Sequence, residues 1–318
     1  MQAVSKLAFE EVSRKNGHPI PENFCIVGLG KYGGKELNFG SDLDIIFVYD
    51  GSEENSSEGT QYHAVSQLIY KLTSEMTPSG FAYKIDTELR PEGEGGVLVL
   101  SIEGYAKYFK SRARIWEQQA MVRARVVAGN KDVGKKFIGV VHDFVFQDNF
   151  EYSALIEISR LRERMELELA KEKIKGKNVK LGYGGIADIE FTIQILQLIH
   201  GGKKPRLRKT NTIESINMFV AHGMIDQVKA GLVKENYLFL RKLECALRII
   251  RQTPTNILPN EITELAQLAR LLSYSGDDAN TLVNALLHDY EKHTTQMREY
   301  YRETVGQLLR TGPRPSFE

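Results

Sequence analysis

The chain has 318 residues, with 42 basic and 41 acidic side chains for a net charge of +1, and 42% hydrophobic residues. That length holds one large or two moderate domains with ample core, and so balanced a charge gives no general field for a polyanion, which disfavours nucleic acid as a bulk partner while leaving room for a local basic patch. No early segment has a charged start followed by an apolar stretch and no run reaches membrane-spanning length, so a cytoplasmic protein away from membranes is expected, with Cys25 and Cys245 as buried free thiols.

Val4, Leu7, Ala8 and Val12 recur at helical spacing, which predicts a short helix within residues 1–23. Phe24-Cys25-Ile26-Val27 reads as a strand, and Gly28-Leu29-Gly30-Lys31-Tyr32-Gly33-Gly34 then spells G-x-G-x-x-G. A dinucleotide-binding turn is one meaning of that pattern. However, only Lys35 to Ser41 separate Gly34 from Asp42, and a parallel crossover needs roughly a dozen residues. An antiparallel or sharply turning strand pair fits better, with Gly28, Gly30, Lys31, Gly40 and Ser41 offering backbone, ammonium and hydroxyl donors to a phosphate.

The densest chemistry lies in residues 38–50, NFGSDLDIIFVYD, where two acids stand at the head of an apolar strand. Strand side chains alternate, so Asp42 and Asp44 share a face with Cα atoms about 7 Å apart, while Leu43, Ile45 and Phe47 take the other. A bare pair of this kind is often only a solvated strand end. Phe81 to Pro91 also reads as a strand, and it brings Asp86 as a third acid, with Arg90 before Pro91 as a phosphate or carboxylate clamp. Three carboxylates suit two Mg²⁺ ions, the arrangement of in-line nucleotidyl transfer.

Residues 51–60 read as a polar loop, Tyr62 to Met76 as an amphipathic helix and Ile102 to Phe109 as another. Trp116 to Val127 passes from helix to strand, with Glu117 a supporting acid and Arg123 and Arg125, if on a strand, sharing a face toward a triphosphate. The alternative is that Glu117 pairs with one of these arginines to brace the sheet. Beyond residues 135–150 the pattern turns helical, from Tyr152 through Leu169, Ile186 to His200, Asn211 to Asp226, Val228 to Arg251, Ile262 to Tyr274 and Thr281 to Leu309. The basic stretch 171–180 reads as a solvated loop and the tail from Thr311 as loose. Asp188 falls in the first turn of the 186–200 helix, where a carboxylate favours the helix dipole. His288 and His293 do not share a helix face, which argues against a metal pair.

Four segments, GLGKYGGKELNFGSDLDIIF, IDTELRPEGEGGVLVLS, IWEQQAMVRARVVAGN and GYGGIADIEFTIQILQLIHGG, resemble the successive signature blocks of the glutamine synthetase adenylyltransferase family, also called glutamate–ammonia-ligase adenylyltransferases. The resemblance runs in order from about Phe24 to Gly202 and implies an α+β fold. Its expected parts are a DNA-polymerase-β-like nucleotidyltransferase core with a mixed sheet over residues 1–145 and an all-α helical bundle over 146–318. It also implies Mg²⁺ (or Mn²⁺) on Asp42, Asp44 and Asp86, with ATP, or ADP and phosphate, as substrates. Asp188 and Glu190, inside the GGIADIEF segment, enter as supporting residues on the same ground. Glutamine synthetase is the implied protein substrate and a PII-type regulatory protein a further partner, in the control of nitrogen assimilation.

Members of this family usually carry two such halves in one chain, one removing AMP from a tyrosine by phosphorolysis and one attaching it from ATP; only one Gly-Ser-Asp-x-Asp segment occurs here. ELNF and LIHGGKKP look like the removing half, GGVLV and RARVV like the attaching half. Removal must hold an extra dianion beside AMP, and the cations Lys31, Arg90, Arg123 and Arg125 favour that direction. Two other classes stay open: the same core with another acceptor (a small molecule, RNA or a different protein), and a nucleotide-sensing module without turnover.

Overall fold

The structure is a computed structural model and describes residues 1–51, 57–170 and 176–311. The chain divides into two units. The first comprises Met1–Leu37, Ser41–Gln147 and Lys209–Asn211; the second comprises Asn38–Gly40, Asp148–Arg208 and the chain from Thr212 onward.

The first unit begins with helix α1 (Gln2–Asn16), ended by Gly17 in the left-handed conformation. Its buried face is Ser5, Ala8, Phe9 and Val12, and Leu7 is 57% exposed, so the predicted stripe is corrected by one position. Strands β1 (Phe24–Gly28) and β2 (Leu43–Tyr49) pair antiparallel, Gly28 opposite Ile45 and Phe24 opposite Tyr49. The short connection allows no parallel crossover. It consists of one helical turn, α2 (Gly30–Gly33), and an irregular stretch.

On the far edge of β2 two short strands follow one another, both parallel to it: β3 (Ile85–Asp86) beside Leu43 and Asp44, and β4 (Val99–Ser101) beside Phe47 to Tyr49. Strand β5 (Arg125–Gly129) closes the other side, antiparallel to β1. The sheet is therefore mixed, and the first unit is α+β.

One sheet face, Leu43, Ile45, Phe47 and Tyr49 with Phe24 and Ile26, packs on Ala8, Phe9 and Val12 of α1 and on Tyr62, Val65 and Ile69 of α3 (Ser57–Ser74). Phe24 lies between Phe47 and Tyr62, each ring centroid 5.9 Å away. Fully burying one such side chain contributes roughly 1.5–3 kcal/mol, so this aromatic stack is a main tie between helix and sheet. Helices α4 (Ile102–Ser111) and α5 (Ile115–Met121) follow, then α6 (Lys131–Val145), capped by the Asn130 side chain. The sequence reading had no helix at 131–145; its buried residues Val133, Phe137, Val141 and Val145 have the required spacing.

Three sequence expectations change in this unit. Helix α3 starts at Ser57, so residues 57–60 are helical rather than loop, while 52–56 lie outside the described residues. The expected strand 81–91 shrinks to Ile85–Asp86 because the Asp86 carboxylate accepts the Glu88 N–H at 2.7 Å and Arg90 N–H reaches Thr87 O, turning the chain away. Arg123 lies in the turn before β5, not on a strand, so it does not share a strand face with Arg125.

The second unit is helical: α7 (Tyr152–Arg164) running into a π-helical turn at Met165–Leu169, then α8 (Ile186–His200), α9 (Thr212–Ala221), α10 (Gln227–Arg251), α11 (Ile262–Leu271) and α12 (Ala279–Thr311). Ile189, Ile193, Phe219, Leu240, Leu243, Leu247, Leu286 and Met297 share its core. Residues 171–175 and 312–318, where a solvated loop and a loose tail were expected, lie outside the described residues. Cys25 is buried but Cys245 only half-buried; both are free thiols. Among the described residues no helix is long and apolar enough to cross a membrane.

Candidate functional site

Asp44 and Asp86 are direct partners in the parallel pairing of β2 with β3. Partners across a ladder project to the same face, so two carboxylates stand side by side at the start of the central strand. Asp42 is exposed, one step before that strand, and Ser41 beside it is half-buried. Directly opposite is the glycine turn: Leu29 N–H donates to Asp44 O at 2.9 Å, and a Cβ on Gly30 would lie 2.1 Å from Asp44 Oδ2. Gly30 also has φ +48°. Both the close approach and the left-handed backbone require glycine there.

The rest of the turn is braced from below. A Cβ on Gly28 would meet the Tyr32 ring and Val127 at 2.9 Å, and one on Gly33 would come 2.0 Å from Arg123 O. Arg125 Nε donates to Gly33 O at 2.8 Å and Nη2 to Tyr32 O at 2.7 Å, with its guanidinium 5.7 Å from the Tyr32 ring centre. Burial pushes the Tyr32 phenol up in pKa, against the pull of the Arg125 charge. Arg123 pairs with Glu36, both nearly buried, and Lys31 Nζ is 3.9 Å from the same carboxylate. Asn211 Nδ2 donates to Gly34 O at 3.0 Å.

Arg90 clasps its own loop. Nη1 donates to Thr87 O and Oγ1, Nε to Gly96 O and Nη2 to Glu94 O. Arg90 and Arg125 therefore bond the backbone around the acids and the glycine turn and Arg123 the Glu36 side chain, where the sequence suggested open phosphate donors. Glu117 is buried and accepts from Tyr108 Oη at 2.7 Å and from Arg114 N at 2.8 Å, so it caps α5 instead of pairing with an arginine.

Three predicted residues belong to the second unit. Gly40 has φ +63° with open space around its Cα. Its neighbours are tied within that unit: Asn38 Nδ2 donates to Glu244 Oε2 at 3.1 Å and Arg248 Nη1 to Phe39 O at 3.3 Å. Asp188 is fully buried between two guanidiniums, 2.6 Å from Arg162 and 3.1 Å from Arg298 Nε, and Glu166 lies 3.4 Å from Arg162 and also pairs with Arg298. Burial pushes the Asp188 carboxyl upward, opposed by the two arginine charges. Glu190 accepts from Tyr237 Oη at 3.3 Å. Glu36 and the Arg162–Asp188–Arg298–Glu166 group were not read as ion pairs from sequence: Arg162 and Glu166 are at helical i,i+4 spacing, a signal that was available, whereas Arg123, Asp188 and Arg298 are too far along the chain from their partners to leave one.

The donor set fits a divalent cation. Carboxylate oxygens are what Mg²⁺ prefers, the Asp44/Asp86 pair brings two carboxylates together, and the missing Cβ at Gly30 is what lets the Asp44 carboxylate pack against the turn. Among the described residues no three His, Cys, Asp or Glu side chains already converge on one point. The register pair brings Asp44 and Asp86 together, and Asp42 stands exposed just before the strand, outside the paired register.

Comparison with known proteins gives a match in each unit. Residues 1–140 match the glutamate-ammonia ligase adenylyltransferase family and residues 157–305 the GlnD PII-uridylyltransferase family. Two proteins of Stenotrophomonas maltophilia, each a bifunctional glutamine synthetase adenylyltransferase/adenylyl-removing enzyme, are 33% and 34% identical over 94% and 90% of this chain. One of the same description from Shewanella loihica is 30% identical over 90%. The chain spans about a third of these relatives, 33%, 31% and 30% of their lengths. The glycine turn and the register-matched acids lie inside the stretch that matches the glutamate-ammonia ligase adenylyltransferase family, and over nearly its whole length this chain is similar to one third of a bifunctional glutamine synthetase adenylyltransferase/adenylyl-removing enzyme.

Proposed function

We propose that the first unit is a nucleotidyltransferase core of the DNA-polymerase-β-like kind, acting with Mg²⁺ on a tyrosine of glutamine synthetase. The observation that carries this reading is the in-register Asp44/Asp86 pair facing a glycine turn with no side chain at Gly30. Asp42, Asp44 and Asp86 hold the cations, which supply neutralisation of the charge developing on the transferred phosphoryl group and activation of the attacking oxygen. Gly28, Gly30 and Ser41 line the nucleotide's approach, and Lys31 lends a positive charge at the same turn. Arg90 and Arg125 act by fixing the backbone that carries these groups, and Arg123 by pairing with Glu36 beside the turn. Such preorganisation keeps the acids placed before substrate arrives.

For direction we infer removal of AMP by phosphorolysis, with ADP released. The ELNF and LIHGGKKP segments support it; the four-cation argument weakens, because three of those cations are engaged with their own fold. The test is to incubate the chain with adenylylated and with unmodified glutamine synthetase, Mg²⁺, and either radiolabelled phosphate or ATP. Label in ADP and a protein mass lower by one AMP are expected. Labelling of the unmodified protein from ATP alone would establish attachment, and inertness toward both would remove glutamine synthetase as substrate.

A further inference from the structure

Beyond the acid site, one surface loop in the second unit is built in a way its fold does not need. Helix α8 closes with Gly201 N–H on Gln197 O, and Lys204 N–H returns to His200 O at 3.0 Å. A 3₁₀ turn, Pro205–Leu207, follows. Leu207 is fully buried in the helical core, and its carbonyl accepts from the Gln197 side chain at 2.8 Å. Arg208 folds back, donating to Gly201 O at 2.8 Å and Gly202 O at 3.1 Å.

The backbone of residues 201–208 is thereby pinned at both ends. What it displays is Lys203, Lys204 and Arg206, all exposed. Among the described residues none of the three makes an ion pair, which is also true of the isolated exposed cations Arg160, Lys242, Arg270 and Lys292 of this unit; what sets these three apart is that they lie within four residues on one pinned turn. Three like charges within four residues repel one another weakly in water, and an anion seated over them relieves that repulsion.

We propose that residues 203–206 are a docking surface for an acidic segment of a partner polypeptide. It rests on the proposed function in one respect, that this partner is the protein substrate. The loop has no aromatic side chain on which a base could stack, and the chain's net charge of +1 provides no long cationic track. Three separate flexible side chains with no buried polar group do not form a pocket for one phosphate. Several carboxylates spaced along a chain match them.

The experiment measures binding of a fluorescein-labelled oligoglutamate to the full chain by anisotropy across a salt series, alongside a double-stranded DNA oligonucleotide and orthophosphate. It is repeated on the Lys203→Gln/Lys204→Gln/Arg206→Gln variant. The oligoglutamate should bind, weaken with salt, and lose about 10-fold in the variant, since exposed pairs contribute up to ~1 kcal/mol each. The variant should keep its melting temperature, and on glutamine synthetase raise KM with kcat unchanged. Unaltered oligoglutamate binding in the variant, or a preference for DNA or phosphate, overturns the proposal. Loss of oligoglutamate binding in a chain inert toward glutamine synthetase upholds this surface and discards the substrate assignment.

Discussion

Gly30 and Asp44 are in contact across the turn between the first two strands: a single methyl on Gly30 would sit 2.1 Å from Asp44 Oδ2. No such separation is sterically tolerated, so either the carboxylate swings out or the turn opens. Gly30→Ala is therefore expected to lower turnover by about 100-fold, the scale of a misplacement near 1 Å. The far-ultraviolet circular dichroism should stay intact, because the site lies at the edge of the core. Near-normal turnover would show that Asp44 does not act from this position.

Placing Asp44 opposite Asp86 sets two like charges side by side, which costs stability until a cation neutralises them. Asp44→Asn and Asp86→Asn should each leave the melting temperature equal or higher in the absence of metal. Activity should fall about 1,000-fold, the equivalent of several kcal/mol of lost charge stabilisation. Mg²⁺ should raise the melting temperature of the natural chain and not of either variant, and chelation should abolish turnover reversibly. Equal Mg²⁺ stabilisation of all three proteins would move the metal elsewhere.

A different response is expected at Asp188, which is fully buried between Arg162 and Arg298. Asp188→Asn keeps the shape but leaves two guanidiniums with only Glu166 to balance them. Urea unfolding should show a loss of about 3–5 kcal/mol, as for other broken buried pairs. The exposed Lys177–Glu291 pair serves as control, Lys177→Gln costing less than about 1 kcal/mol. Equal losses at the two sites would contradict the buried-network reading.

Burial pushes the Cys25 thiol up to about 12 from 9.0. The folded protein thus keeps a proton that the unfolded chain releases above pH 9, so this group's contribution to stability is lost as pH rises from 9 toward 12. Because the thiolate is the reactive form, a disulfide reagent at pH 8 should modify Cys245 in the native protein and both cysteines in denaturant. Cys25→Val should flatten the alkaline decline in stability.

Much of this architecture was legible in the chain because its signals are local. The alternation of Asp44 against Leu43, Ile45 and Phe47 set the faces of β2, though the strand starts one residue after Asp42, and the seven residues from Lys35 to Ser41 set its antiparallel pairing with β1. What escaped depended on distant partners. Phe81 to Pro91 has strand composition, yet Asp86 and Arg90 satisfy the backbone with side-chain bonds and end the strand after two residues. Arg123 and Arg125 look like phosphate ligands until Glu36 and the carbonyls of Tyr32 and Gly33 are brought beside them. Asp188 carried a helix-dipole signal that was real but secondary to two arginines, one 26 residues away and one more than a hundred.

Strands β3 and β4 both lie against one edge of β2, three residues apart in its register, at Asp44 and Phe47. That gap is only about 10 Å along the strand, yet residues 87–98 must leave and return across it, gathered in by the Arg90 guanidinium. Asp86 is thus delivered on a tether moored at both ends to the strand it faces. Added or deleted residues between Pro91 and Val97 have no free end through which to relax, so they shift Asp86 along β2 or break the mooring at Arg90. The length of this loop, more than its composition, sets the spacing of the acids.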